Sequence, residues 1–526
     1  MENKFPMVAK TFQGLEDVLR DELIALGADN VEPGLRMVSF EGDLELLYKA
    51  NLCCRTALRI LKPIVKFTAN DTDELYDCIR DIEWENYMDA DSTFVIDATV
   101  NSPIFTNSRF ATYRAKDGIA DHFLDICGRR PSIRLQNADL HLNVHIQDNR
   151  VTISLDSSGA PLSKRGYRVE QTEAPINEVL AAGIIMKTGW HGECDFIDPM
   201  CGSGTFLIEA ALIAGNINPG IYRESFAFEK WPDFDRDLFE AVYNDDSAER
   251  DINCKISGGD ISPEAVMIAR KNIKAARLEQ NIDIVCKPMQ DWDENENDPG
   301  ILITNPPYGE RLRPDDMETL YRQIGETLKF HFQGWNCWII GYRDEHFDAI
   351  GLKPSVKYPI LNGALECSLR EYMIFNGKYS DFRAEGGSVA NKEFKREARQ
   401  RSRRLNDEEW SRDAREFKHG GKPSYKSGSK SEKRTDWKYS GKPERKSDRK
   451  FRDRDNYHSD KKSNRDSNPR RGARPDKNFS RRDNSIRQVF DKAPTLGEDK
   501  TAFSSPVSMR TRSFWKKRKE EDDNEG

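Results

Sequence analysis

The sequence predicts an α/β fold: a doubly wound parallel sheet, preceded by an α+β region and followed by a disordered basic tail. Three observations predict it. From about Arg165 short apolar runs alternate with amphipathic helical stretches, the pattern of strands crossed over by helices. Before that point strand-like and helical runs mix without regular alternation. From about Asp381 apolar periodicity is lost altogether.

A chain of 526 residues implies two to four domains. Its net charge of −7 conceals an asymmetry. Residues 1–380 carry about 40 basic against about 60 acidic side chains, whereas 381–526 is net positive. The apolar stretch Trp335 to Tyr342 is far short of the ~20 residues that span a bilayer. No basic-then-apolar leader is visible, so a cytoplasmic enzyme without a membrane partner is expected. The 10 cysteines form no Cys-x-x-Cys pair and have no histidine at zinc-finger spacing. Free thiols and no metal are therefore expected.

Taken in order, Leu15, Val18, Leu19, Leu23, Ile24 and Leu26 recur at helical spacing between Gly14 and Gly27. Strand-like runs follow at 36–40, 60–67, 93–100, 141–146 and 150–155, the last two joined by a Gln-Asp-Asn turn. The segment Arg109 to Arg134 holds Arg109, Arg114, Lys116, Arg129 and Arg130, a basic cluster in an acidic body. It reads equally as a phosphate-contact face or as a solvated helix surface. Buried strands are expected at 195–198, 256–260, 282–286, 301–304 and 338–342, with helices at 206–214, 263–276 and 317–330. Ser262, Pro263 and Glu264 form a helix start: cap, first-turn proline and an acid at the positive dipole end. In the tail, cations interleaved with Trp410, Tyr425, Trp437, Tyr439, Phe451, Phe479 and Trp515 suit phosphate contact and base stacking.

Chemistry concentrates at strand ends. Asp198-Pro-Met-Cys-Gly-Ser-Gly-Thr205 follows one strand and opens an apolar helix. Gly202 and Gly204 let the backbone turn tightly, and free N–H groups at the helix start suit a ligand carboxylate. Asp260 ends the next strand, where a carboxylate can accept both hydroxyls of a ribose. Its long spacing from the glycine loop reflects an aromatic insertion over 215–255, expected to pack on the body. Asp291 could accept from an adenine amino group. Thr304-Asn305-Pro306-Pro307-Tyr308-Gly309 then closes a further strand. Two prolines fix φ and remove two backbone donors, leaving acceptors to hold an exocyclic NH₂ group, with Tyr308 as a stacking face. A cytosine-C5 mechanism would need a cysteine beside the prolines, where Tyr308 stands.

On Asp198–Thr205, TNPPYGER (304–311), KRGYRVEQTEAPINEVLAAGIIMKTGW (164–190), FQGLEDVLRDEL and the segment 43–59, the chain resembles the THUMP-domain class I RNA guanine-N2-methyltransferases of the large ribosomal subunit. The resemblance implies a ferredoxin-like region (1–58), a THUMP RNA-binding domain (59–158) and a Rossmann-like class I methyltransferase domain (159–380), ahead of the tail (381–526). It implies S-adenosylmethionine held by Asp198, Gly202, Gly204, Asp260 and Asp291, with Cys201, Thr205, Ile261 and Asn305 in the same set. Asn305, Pro306, Pro307 and Tyr308 would meet the target amino group. The expected partner is large-subunit ribosomal RNA or an assembly intermediate, with one methylation activity. Rivals are a transfer RNA guanine-N2-methyltransferase, a DNA adenine or protein glutamine methyltransferase, and a non-catalytic ribosome-assembly factor.

Overall fold

The computed structural model describes residues 4–294, 298–307, 314–363 and 365–375. The tail, Tyr308 and Gly309 lie outside them. Two sheets account for the strands.

The first sheet contains β1 (Phe5–Lys10), β2 (Asp29–Gly34), β3 (Met37–Gly42), β4 (Arg59–Thr68), β5 (Thr93–Asn101), β6 (Ser132–Ile133), β7 (Leu140–Gln147) and β8 (Arg150–Asp156). Their order is β2-β3-β1-β4-β8-β7-β5-β6. Pairing is antiparallel except along β5, which runs parallel to β6 and β7. Because β4 pairs with both β1 and β8, the sheet passes through position 58/59 without a break. Helices α1 (Glu16–Ala25), α2 (Leu44–Cys53), α3 (Thr72–Arg80) and α4 (Ser108–Cys127) complete this half. Side-chain caps start three of them: Asp43 accepts from Leu46 N–H, Asp71 from Asp73 and Glu74 N–H, and Asn107 from Arg109 and Phe110 N–H. Most of the basic segment is thus a helix, α4, stopped by left-handed Gly128 ahead of Arg129 and Arg130.

The second sheet contains β9 (Phe196–Asp198), β10 (Ile256–Asp260), β11 (Ile282–Cys286), β12 (Ile301–Thr304), β13 (Asn336–Gly341), β14 (Val356–Asn362) and β15 (Leu365–Met373), in the order β11-β10-β9-β12-β13-β15-β14. The first five in that order are parallel, and β15 and β14 continue antiparallel. Helices α5 (Glu178–Thr188), α6 (Thr205–Ala214) and α8 (Pro263–Ala275) cover one face, packing with Phe196, Ile301 and Ile303. Helices α9 (Pro314–His331) and α10 (Asp344–Ala349) cover the other, against Ile197, Leu302 and Ile339. Alternate residues of each strand serve opposite layers, as a pleated strand requires. The doubly wound expectation holds, with the five parallel strands within two residues of their expected bounds.

The 215–255 insertion, which carries α7 (Arg236–Tyr243), packs on both halves, with Ile217 buried in the core beside the parallel sheet. Phe226, Phe228, Trp231 and Phe239 are buried in the core of the first half. Tyr48 of α2 lies 4.6 Å from the Phe228 ring, and its hydroxyl accepts from Asp235 N–H at 3.0 Å. Lys230 donates to the carbonyls of Asn137 and Ala138. The insertion is a bracket between the two halves.

Candidate active site at the switch point of the parallel sheet

Strand β9 is the pivot: from it the sheet runs one way through β10 and β11 and the other way through β12 and β13. In such sheets ligands bind beyond the carboxyl ends of the strands at the point of reversal. The Asp198–Thr205 loop follows β9, Asp260 ends β10 and Asn305 follows β12, so the topology brings all three to that crevice.

The glycine loop is pinned on several sides. Cys201 N–H donates to Gly259 O at 2.8 Å and Gly202 N–H to Asp260 Oδ2 at 3.0 Å. Gly202 (φ 51°) and Gly204 (φ 79°) adopt the left-handed region. A Cβ on Gly204 would sit 3.2 Å from the Ala269 side chain of α8, so the loop nests on that helix. Helix α6 has no side-chain cap, leaving its first-turn donors for a ligand. All ten of its residues are buried. Cys201 is buried too, and burial pushes its thiol well up, out of nucleophilic range.

Asp260 is half-buried, its other oxygen accepting from Ser262 N–H at 2.9 Å, so both oxygens are fixed in place. The next side chain, Ile261, is 72% exposed, an apolar surface beside that carboxylate. Asp291 is exposed, ending the short turn Met289–Asp291 ahead of buried Trp292.

Asp198, expected among the cofactor-binding residues, is a buried side chain. It is 1% exposed, and its Oδ1 accepts from Thr304 Oγ1 at 2.8 Å and Met200 N–H at 3.2 Å. Burial pushes its carboxyl up to about 7, with the Asp260 charge adding to the rise and the two donors opposing it. Thr205 is also buried, its hydroxyl accepting from Arg168 Nη2 at 3.0 Å.

Asn305 is half-buried, Pro306 buried and Pro307 exposed. Asn305 Oδ1 is shielded from solvent and has no hydrogen-bond partner among the described residues. An orphan acceptor costs about 1–3 kcal/mol, and it is followed here by two residues that donate no N–H. This is a site with an unmet demand for a donor.

Sequence reasoning missed the residues that hold this arrangement. Asn272 of α8 accepts from Val169 and Glu170 N–H and donates to Glu170 O and Ser203 O, clamping the segment before α5 to the glycine loop. Thr172 N–H and hydroxyl meet Ser203 Oγ at 2.9 and 3.0 Å. An asparagine on the apolar face formed by Ala269, Ile273 and Ala276 was the available signal.

The basic residues named from sequence lie apart from this site, on and after α4. Arg114 pairs with Asp73 at 2.5 Å, Lys116 with Asp117 at 2.9 Å, Arg129 with Asp91 at 2.6 Å and Arg130 with Asp121 at 2.7 Å. Arg109 is exposed and makes no ion pair among the described residues. Among the described residues no group of His, Cys, Asp and Glu could hold a metal, and no helix is long and apolar enough to cross a membrane.

Three family profiles match the chain in series: an RlmL ferredoxin-like domain over 6–61, a THUMP domain over 69–156 and an RMKL-like methyltransferase domain over 165–371. The chain is 38% identical over 382 residues to the ribosomal RNA large subunit methyltransferase K/L of Syntrophotalea carbinolica, covering 70% of this chain and 53% of that one. It thus spans about half the length of the large-subunit methyltransferases it matches. A Synechocystis protein named "Putative RNA methyltransferase" is 36% identical over 373 residues, with 70% of this chain and 97% of that one covered. Among solved structures, a "putative methyltransferase complexed with SAH" superposes with a TM-score of 0.64 at 33% identity, covering 72% of this chain and all of that one. The chain belongs to the family of methyltransferases in which an RMKL-like catalytic domain follows RlmL-type ferredoxin-like and THUMP domains.

Proposed function

We propose that this chain transfers a methyl group from S-adenosylmethionine to an exocyclic nitrogen of an RNA base, the N2 of a guanine in large-subunit ribosomal RNA. The observation that carries the reading is the shielded Oδ1 of Asn305, without a hydrogen-bond partner among the described residues, just after β12 and beside the strand that leads into the glycine loop.

The residues present fit the cofactor. Asp260, held by Gly202 and Ser262 N–H, offers lone pairs to a ribose diol. The uncapped start of α6 offers N–H donors to a carboxylate. Ile261 offers an exposed apolar surface to the adenine ring, with Asp291 as acceptor for its amino group. Asp198 serves behind the loop rather than at the ligand. When bound, S-adenosylmethionine supplies a methyl group activated by a sulfonium centre.

Asn305 Oδ1 and a carbonyl of the proline pair accept the two hydrogens of the target amino group, directing the nitrogen lone pair toward the methyl donor. The resemblance assigns Tyr308, outside the described residues, as the stacking face for the target base, a contact worth about 1–3 kcal/mol. Positioning carries the catalysis, since an in-line displacement gains most from a near-attack geometry. The THUMP match, the names of the relatives and the basic tail support RNA as the substrate class. The guanine and the ribosomal subunit follow the resemblance to the large-subunit enzymes. Arg109 and the neighbouring α4 surface, with exposed Phe110 and Tyr113, are assigned to RNA contact alongside the tail.

Nucleoside mass spectrometry of large-subunit ribosomal RNA from cells lacking the protein tests this. One N2-methylguanosine should disappear and return with the wild type but not with Asn305→Ala. An unchanged ribosomal profile with a methylguanosine lost from transfer RNA would move the substrate, and no change in either would refute the reading.

A further inference from the structure

Two loops must keep a fixed spacing if a methyl group is to pass between them, and one buried hydrogen bond spans them. Thr304 is the last residue of β12 and is 0% exposed; Asp198 is the last residue of β9 and is 1% exposed. The strands pair in parallel, Ile301 opposite Phe196 and Leu302 opposite Ile197, so both side chains sit at the same end of the pair. The Thr304 hydroxyl donates to Asp198 Oδ1 at 2.8 Å, and the same oxygen accepts from Met200 N–H at 3.2 Å, inside the glycine loop. A single carboxylate oxygen therefore holds Met200 of the glycine loop and the strand residue immediately before Asn305.

The flanking residues make this bond directional. Threonine is β-branched and stiff at χ1, so fixing its hydroxyl fixes its backbone. Asn305 precedes Pro306 and is restricted to extended conformations, so little torsional slack separates Thr304 from the Asn305 side chain. Isoleucine and leucine fill the rest of β12, and valine would match the shape of threonine here. The hydroxyl is the part that packing does not require. A buried carboxylate also demands donors, and burial drives the Asp198 carboxyl up despite this one.

We infer that Thr304 is a positioning residue for methyl transfer: its hydroxyl, bonded to Asp198, ties the loop bearing Asn305 to the glycine loop and sets the distance between target amino group and methyl donor. This rests on the proposed role of Asn305.

The test uses the full chain with Thr304→Val, Thr304→Ser and Asn305→Ala. Steady-state transfer is measured from S-adenosylmethionine to ribosomal RNA purified from cells lacking the protein. S-adenosylhomocysteine affinity is measured separately by calorimetry. Thr304→Val should lower kcat on the order of 10²-fold, the scale of a 1 Å misplacement. S-adenosylhomocysteine affinity should stay within about threefold, and Thr304→Ser should restore kcat to within the same factor. Wild-type kcat in Thr304→Val overturns the inference. So does an equal loss of S-adenosylhomocysteine affinity, which would confine the hydroxyl to the glycine loop. A Thr304→Ser as defective as Thr304→Val also overturns it, pointing to the methyl group's packing. If Thr304→Val does not fold, Thr304→Ala against Thr304→Ser makes the same comparison. An active Asn305→Ala removes the underlying reading, and this inference with it. An inactive Asn305→Ala beside a fully active Thr304→Val removes only the role of Thr304.

Discussion

The strand-end crevice of the parallel sheet and the surface of α4 were both nominated by sequence, one by motif and one by charge, and the structure treats them differently. At the crevice, side chains are held but left with capacity: among the described residues Asn305 Oδ1 has no donor, α6 has no side-chain cap and Ile261 lies open. Around α4, four of five cations already have carboxylate partners. Those pairs are solvent-exposed and worth about 0–1 kcal/mol, so a phosphate can displace the acids, but the local field is far weaker than the cation count suggests. Unmet chemistry means something here because it coincides with the motif at the strand ends; a count of charges marks little until their partners are known.

Asn305→Ala is the severest test of this contrast. It removes the acceptor for the target amino group, and transfer should fall on the order of 10²–10³-fold with RNA affinity within a factor of two or so. A variant retaining a tenth of wild-type activity would place the target elsewhere. Asp260→Ala comes next. Losing hydrogen bonds from a charged acceptor, at about 1.5–3 kcal/mol each, should weaken S-adenosylhomocysteine binding by roughly 10- to 100-fold in calorimetry. Unchanged affinity would reduce Asp260 to a brace for Gly202 and Ser262.

Asp198 sharpens the comparison through stability. Its folded carboxyl sits at about 7, above the ~3.9 of an unfolded chain, so the folded state holds the proton more tightly. That contribution is fully present below about pH 4 and is lost as pH rises through 7. Relative to Asp198→Asn, the wild type should therefore lose stability on the order of 4 kcal/mol between those limits, read from denaturant midpoints. Burial also raises Glu22, Asp156 and Glu209, so the difference between the two proteins, rather than the wild-type curve alone, reports on Asp198. A pH-independent difference would mean that the carboxylate is solvated.

The smallest effects belong to α4. Arg114→Ala should weaken RNA binding less than about threefold at physiological salt, and Arg109→Ala somewhat more, with the salt slope reduced by no more than about one. A tenfold loss at Arg114 would show that RNA breaks its pair with Asp73, and would raise α4 to an interface equal to the crevice.

Local chemistry made part of this molecule readable. The five parallel strands announce themselves as short runs between helices, three of them leading into Asp198, Asp260 or Asn305, and Ser262 caps α8 as expected, accepting from Ala265 N–H. What stayed hidden is long-range. Of the acids that neutralise these cations, Asp117 and Asp121 lie on α4 itself, but Asp73 and Asp91 come from other parts of the chain. β2 is a polar edge strand, DNVEPG, and β14 and β15 mix charged and apolar residues, so none shows a clean period of two. The aromatic insertion was legible as a packing surface, but its partner Tyr48 lies some 180 residues away and no local signal names it. Likewise Thr304 reads as an ordinary strand residue until Asp198 is found beside it.

The most direct measurement is nucleoside mass spectrometry after incubating the purified chain with trideuteromethyl-labelled S-adenosylmethionine and ribosomal RNA from cells lacking it. The account predicts label on the exocyclic N2 of guanosine at one position, absent with Asn305→Ala. Label on a ring nitrogen, a ribose hydroxyl or carbon, or equal label with Asn305→Ala, would contradict it.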